Sequence, residues 1–269
     1  MNTAAAIGII TTALCLNGVA AVITQTPPSS PAPAVASASE TGSSAIRRAA
    51  EANKYLFVFF YEKDDEATQA ARKAFDEGVK QITPAPLSVK VDRTGPAEQE
   101  LVTKFGVDRA PMPLILAIAP NGAITGGFPA AQLTEERLRD AVASVGLQKC
   151  LKALQDRRLV LVCLQNDRTQ ANEAAMKGVN DFKADAQFAA VTEIIKVDPN
   201  DTKEIKLLAQ LKAEPQAKMA ATAFLAPPGV LVGTVSGPTT KDGLMASLQK
   251  AMASCAPGAG AGCCPPPKK

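Results

Sequence analysis

Leu56–Tyr61 reads LFVFFY, and Leu159–Leu164 reads LVLVCL. Six consecutive apolar or aromatic residues, without polar alternation, mark a strand buried on both faces. The chain therefore carries two candidate central strands, and the flanking segments match as well. Helical stretches follow at 66–80 and 170–183. Lys90-Val91-Asp92 ends a second strand in the first half, and Lys196-Val197-Asp198 does the same in the second. Amphipathic helices at 97–105 and 203–211 lead to apolar strands at 114–119 and 220–226. Each strand meets a tight turn, Ala119-Pro120-Asn121-Gly122 or Ala226-Pro227-Pro228-Gly229, where Pro fixes φ at the first corner and Gly or Asn takes a later one. A last strand and a closing helix, at 133–145 and 241–254, end each copy.

Each half thus runs helix, strand, helix, strand, helix, strand, strand, helix. The strand–helix–strand part demands a parallel pairing with a right-handed crossover, and the strand–turn–strand part an antiparallel hairpin. The expected fold class is α/β, with two tandem domains, each a mixed central sheet with helices on both faces. The boundaries fall at 45–146 and 147–254. Gly146 is the break expected between the first closing helix and an opening helix at 147–156, so almost no linker separates the two units.

Composition narrows the function. The 269 residues contain no His, which removes Ser-His-Asp and Cys-His catalysis, His general bases and His-based zinc sites. Net charge is only +3, with the 29 basic and 26 acidic residues interspersed. No basic stripe offers itself to nucleic acid.

Both ends differ from the middle. Residues 1–24 are apolar apart from a few Thr and Asn, and no charge occurs before Glu40. Residues 7–16 would serve as the core of a signal peptide, with Gly18-Val19-Ala20 as a small-x-small cleavage site. The run is also about long enough to anchor the chain in a membrane. A Pro/Ala/Ser linker follows at 25–44. The expected localisation is export: periplasmic, cell-surface or secreted. Residues 255–269 form a Cys/Gly/Pro tail without hydrophobic period.

The element order, together with LFVFFY, Val89-Lys90-Val91-Asp92 and Phe105-Gly106-Val107-Asp108-Arg109-Ala110-Pro111, resembles the thioredoxin family. The resemblance covers residues 43–146 well and 147–254 more weakly. It implies a groove that receives extended peptide beside a cis-proline; Pro111 is the candidate, with Pro113 competing. Asp65, Thr68 and Arg109 would line that groove. In the second half Pro215 does not align with Pro111. The resemblance also implies two Cys at the N-terminus of the helix after the central strand, where dipole and amides favour a thiolate. Those positions hold Asp65-Glu66-Ala67-Thr68 in the first half and about Arg168-Thr169-Gln170-Ala171 in the second. Neither contains Cys. Asp64 and Asp65 read as helix-capping carboxylates, and family activity does not carry over.

Six cysteines remain to be placed. Cys15 lies in the presumed signal, and Cys163 in a buried strand, where Cys behaves as a small hydrophobe. Cys150 sits on the second unit's opening helix, and Cys255, Cys263 and Cys264 in the tail. Three readings of the tail stand open: a disulfide closing the Gly/Ala loop, with Cys150 as a further thiol partner; a mobile arm for thiol exchange; and a soft-metal site for copper. The sequence therefore predicts an exported thioredoxin-like protein without the redox Cys pair. It would bind protein or extended peptide, or act as a scaffold, without a cofactor. The alternatives are a thiol-disulfide oxidoreductase and a copper-binding protein, both using the tail cysteines.

Overall fold

The run LFVFFY forms β1 (Leu56–Tyr61), and every residue in it except Tyr61 is buried. The computed structural model describes residues Glu40–Ser254. The first domain continues α1 (Gly42–Glu51), β1, α2 (Glu66–Lys80), β2 (Leu87–Asp92), α3 (Gln99–Phe105), β3 (Leu114–Ile118), β4 (Ile124–Pro129) and α4 (Glu135–Asp140). The second repeats the plan: α5 (Val145–Gln155), β5 (Leu159–Leu164), α6 (Asn172–Ala184), β6 (Thr192–Val197), α7 (Ile205–Gln210), β7 (Ala221–Ala226), β8 (Val230–Ser236) and α8 (Lys241–Ser254).

The sheets have strand orders β2-β1-β3-β4 and β6-β5-β7-β8. In each, the first two strands pair parallel and the other pairings are antiparallel. The chain is thus two tandem thioredoxin-like α/β domains, as the element order predicted.

The two central runs are offset by one residue from their sequence match. Leu56, Val58 and Phe60 pack with Ala45 and Ala49 of α1. In the second domain Val160, Val162 and Leu164 pack with Cys150, Ala153 and Leu154 of α5. The counterpart of Leu56 is therefore Val160, not Leu159. Successive strand residues face opposite ways, so a one-residue slip exchanges the two faces. The other face of β1 carries Phe57 and Phe59 against Phe75 and Leu138, with the Phe59 and Phe75 rings 5.3 Å apart. That of β5 carries Leu161 and Cys163 against Val179, Phe182 and Leu244.

Two helices differ from expectation by three residues or more at one end. α1 starts at Gly42, inside the stretch read as linker, because the Thr41 side chain accepts the Ser44 amide as N-cap. The closing helix expected at 133–145 is only Glu135–Asp140, capped by Thr134. Ser144 then caps a new helix by accepting the Leu147 amide. Gly146 is consequently inside α5 and is not the break.

What requires glycine at 146 is Glu204. Its Oε1 accepts the Gly146 amide at 2.8 Å, and its Oε2 accepts the Ser144 hydroxyl. A Cβ on Gly146 would lie 2.7 Å from Glu204 Oε2.

α5 also joins the domains. Cys150 belongs to the second core, while Leu151 packs on the first. The Gln155 amide donates to Ile124 O at 2.7 Å and accepts Ile124 N–H at 3.0 Å, closing the edge of β4. Tyr55 Oη donates to Ala143 O at 3.0 Å and accepts its amide at 2.8 Å.

Glu204→Ala leaves a buried amide and a helix N-terminus without their acceptor. It is expected to cost about 1–3 kcal/mol, and Gly146→Ala to destabilise in the same direction by displacing the carboxylate. Urea unfolding of the two variants against the parent measures both. Midpoints within error of the parent would mean that the contact does not hold the helix.

Candidate functional site

The C-terminal end of β1, the N-terminus of α2 and the loop entering β3 enclose a groove of about 310 Å³, lined by Glu62, Lys63, Asp65, Ala67, Thr68, Met112 and Pro113. Asp65 sits at the N-cap of α2, where its Oδ1 accepts the Thr68 amide at 2.9 Å. That amide, and next the Thr68 hydroxyl, hold the Asp65 carboxyl below the usual carboxylate range. Thr68 is 5% exposed and forms part of the groove's inner wall.

Of the four groove residues predicted, the structure brings together Asp65 and Thr68 but not the other two. Arg109 is 96% exposed and lies beside Asp108 at 3.5 Å. Pro111 is exposed and outside the lining. The cis X-Pro bond in this loop is Met112–Pro113, so the competing proline takes the place expected of Pro111. The reason is strand register. β3 begins at Leu114, and Pro113 enters it with its carbonyl accepting the Ala130 amide at 2.8 Å.

Sequence reasoning missed Glu62, Met112 and the residue behind them, Arg93. The Arg93 guanidinium donates to the carbonyls of Asp108 and Ala110, both at 3.1 Å, and to Val107 at 3.4 Å. Its other nitrogen pairs with Glu62. One side chain thereby ties the loop before Met112 to the opposite wall of the groove. The available signal was a break in the repeat: Lys-Val-Asp is followed by Arg93 in the first half and by Pro199 in the second.

The second domain has a different site at the same end of its sheet. Phe60 pairs with Leu114 and Leu164 with Ala221, so Ala220 stands where the first domain has Pro113. A cleft of about 390 Å³ is lined there by Asn166, Arg168, Asn200, Gln216, Ala217 and Lys218. Of the four predicted active-site positions, only Arg168 lines it. Thr169 is buried and donates to the Asn172 side chain at 2.7 Å, and Ala171 takes the left-handed conformation before α6. A larger cleft between α6 and α8 contains Lys177, Asp181, Asp185 and Lys241, which are joined as two ion pairs.

Cys150, expected as a disulfide or redox candidate, is 1% exposed in the second core. Burial, and then the charge of Glu204, push its thiol up to about 12. A thiolate is the nucleophile in disulfide exchange, so Cys150 is a packing residue. The reason lies in the helix face it occupies, shared with Ala153 and Leu154. Cys163 is buried in β5, and burial pushes its thiol up to about 11. Cys255, Cys263 and Cys264 lie outside the described residues, as do Cys15 and the N-terminal apolar segment. No helix among the described residues is long and apolar enough to cross a membrane.

No protein-family model matches the chain, and no curated protein matches it. The solved structures it is similar to are thioredoxin-domain proteins. A disulphide isomerase from Xylella fastidiosa Temecula1 is 16% identical over 36% of this chain and 82% of its own, with a TM-score of 0.29. The first two thioredoxin domains of Saccharomyces cerevisiae Eps1p are 12% identical over 83% of this chain and 99% of theirs, with a TM-score of 0.29. Those of Naumovozyma dairenensis Eps1p are 10% identical over 84% and 97%, again with a TM-score of 0.29. The assignment of the fold rests on the strand order and register above.

Two outcomes are expected from these environments. Cys150 and Cys163 should resist iodoacetamide at neutral pH in the folded protein and react fully in denaturant, as peptide mass spectrometry would show; labelling in the folded state would contradict their burial. The Asp65 carboxyl is depressed in the fold, so its contribution to stability is present above the ordinary carboxylate value of about 4. It is lost as pH falls through the lower folded value. Asp65→Asn keeps a capping oxygen and removes the titration. Its melting temperature should therefore fall less steeply than the parent's as pH drops below about 4; parallel curves would contradict the assignment.

Proposed function

We propose that this chain is an exported thioredoxin-like protein without redox chemistry in its domains, which binds protein or extended peptide through the groove beside Pro113 and serves as a binding or scaffolding module. The observation that carries this reading is the occupancy of the N-terminus of α2. Where a thioredoxin-type enzyme needs a thiol, this helix presents the capping carboxylate of Asp65 and the buried Thr68.

A carboxylate takes the same electrostatic benefit from the helix end that a thiolate would, and it cannot attack a disulfide. The groove itself remains open. Met112, Pro113 and Ala67 give it an apolar part, and Glu62, Lys63 and Asp65 a polar rim. That mixture suits a segment presenting both backbone and side chains.

The test uses the full chain and a reduced, carboxymethylated polypeptide as the extended probe. Binding is expected to weaken about tenfold or more in Met112→Asp and to be unchanged in the double variant Cys263→Ser, Cys264→Ser. Reduction of a disulfide-bonded polypeptide should run at the uncatalysed rate. Three results would each sink the reading: no binding of the probe, catalysed reduction that disappears in the double cysteine variant, or stoichiometric copper(I) uptake that disappears with it. The second makes the tail an oxidoreductase site, and the third makes it a metal site.

A further inference from the structure

The two sheets have four outer edges, and three of them are blocked against pairing with another strand. β2 (LSVKVD) carries Lys90, paired with Asp76 at 2.8 Å, and ends in Asp92. β6 (TEIIKV) carries Glu193, paired with Arg158 at 2.8 Å, and Lys196. β4 ends in Pro129, and both backbone groups of Ile124 are taken by the Gln155 amide. Charges, proline and covered edges are the usual means by which edge strands are kept from pairing.

β8 (VLVGTVS) has none of these. It contains no charge and no proline, and it lies within a stretch from Met219 to Thr240 that is free of charge altogether. Among the described residues, no side chain bonds to its outer backbone. A bulge opposite Leu225 is its only irregularity, and β4 has one as well, so bulges do not separate the blocked edge from the open one. Gly237 N–H points inward to Ala220 O at 2.7 Å. By antiparallel alternation the amides of Ser236 and Thr234 point outward. Val230 is 48% exposed at the head of the strand.

We propose that the outer edge of β8 pairs antiparallel with the same edge of a second copy of this chain, joining two four-stranded sheets into one of eight strands. Symmetry favours this occupant. A two-fold contact sets a strand against itself, so charged residues on it risk facing like charges. β8 carries no charge to set in opposition. A different partner selected by charge would find nothing on this edge to read.

Sedimentation of the full chain over a concentration series, combined with hydrogen exchange of the β8 amides, tests this. Val230→Lys changes an exposed residue and places a charge on each strand. Ser236→Pro removes one outward amide without touching the inward ladder. A concentration-dependent dimer is expected, weakened about tenfold or more in each variant, with Thr234 and Ser236 exchanging slowly only where the dimer forms. An unchanged far-UV spectrum for Val230→Lys shows that the fold is retained. A monomer at every concentration overturns the proposal, as does a dimer that Val230→Lys leaves intact. Slow exchange of these amides in the monomer also overturns it, since the chain itself would then cover the edge.

Discussion

A glutamate carboxylate set on the first turn of an opening helix is the contact from which the rest of each domain is positioned. It occurs twice. Glu98 accepts the Gly42 amide through both oxygens, at 3.0 and 3.1 Å. Glu204 accepts the Gly146 amide at 2.8 Å together with the Ser144 hydroxyl. Each glutamate ends the short 3-10 turn that follows the second strand. The charge meets the positive end of a helix and one of its otherwise unpaired amides. The carboxylate fits only because both helices offer glycine there: a Cβ on Gly42 would come within 2.9 Å of Glu98 Oε2, besides colliding with Leu101. The opening helix is thereby fixed to the far side of its own sheet, and its apolar face is held over Leu56, Val58 and Phe60, or over Val160, Val162 and Leu164.

The same contact explains why the domains need no linker. Because Glu204 and Ser144 define where α5 begins, the helix can present Cys150 to one core and Leu151 to the other. Gln155, one turn further along, closes the β4 edge. A segment that reads as a domain boundary is therefore a shared structural member.

How much of this was legible depended on the range of the forces involved. Continuous apolarity is local, so β1 and β5 stand where LFVFFY and LVLVCL predict them, and the Asp65 cap places the start of α2 at Glu66. The end of α4 was not legible, because Ala141, Val142 and Val145 continue an apolar pattern across the break. Only the Ser144 cap marks the new helix. Glycine at 146 looked like a helix breaker, since its reason, Glu204, lies far along the chain. Arg93 was missed for the same cause: its three carbonyl partners come from a loop that sequence alone does not bring near it. Pro111 and Pro113 are two residues apart in one loop, and the register that puts Leu114 first in β3 decides which of them enters the groove. Cys150 could not be classified until the face of α5 was known.

The chemistry of the site follows from this framework. The N-terminus of α2 is the most anion-favouring point beside the groove, because free amides converge there at the positive end of a helix of four turns. A thiol placed there would be driven toward thiolate. Asp65 engages the Thr68 amide, which holds its carboxyl below the usual carboxylate range, so a capping carboxylate already takes the benefit of this helix end. The cysteines of the described domains are governed by the opposite force: desolvation raises the Cys150 and Cys163 thiols. Neither of these two described thiols lines the groove at the N-terminus of α2, whose walls Arg93 and Glu62 tie together.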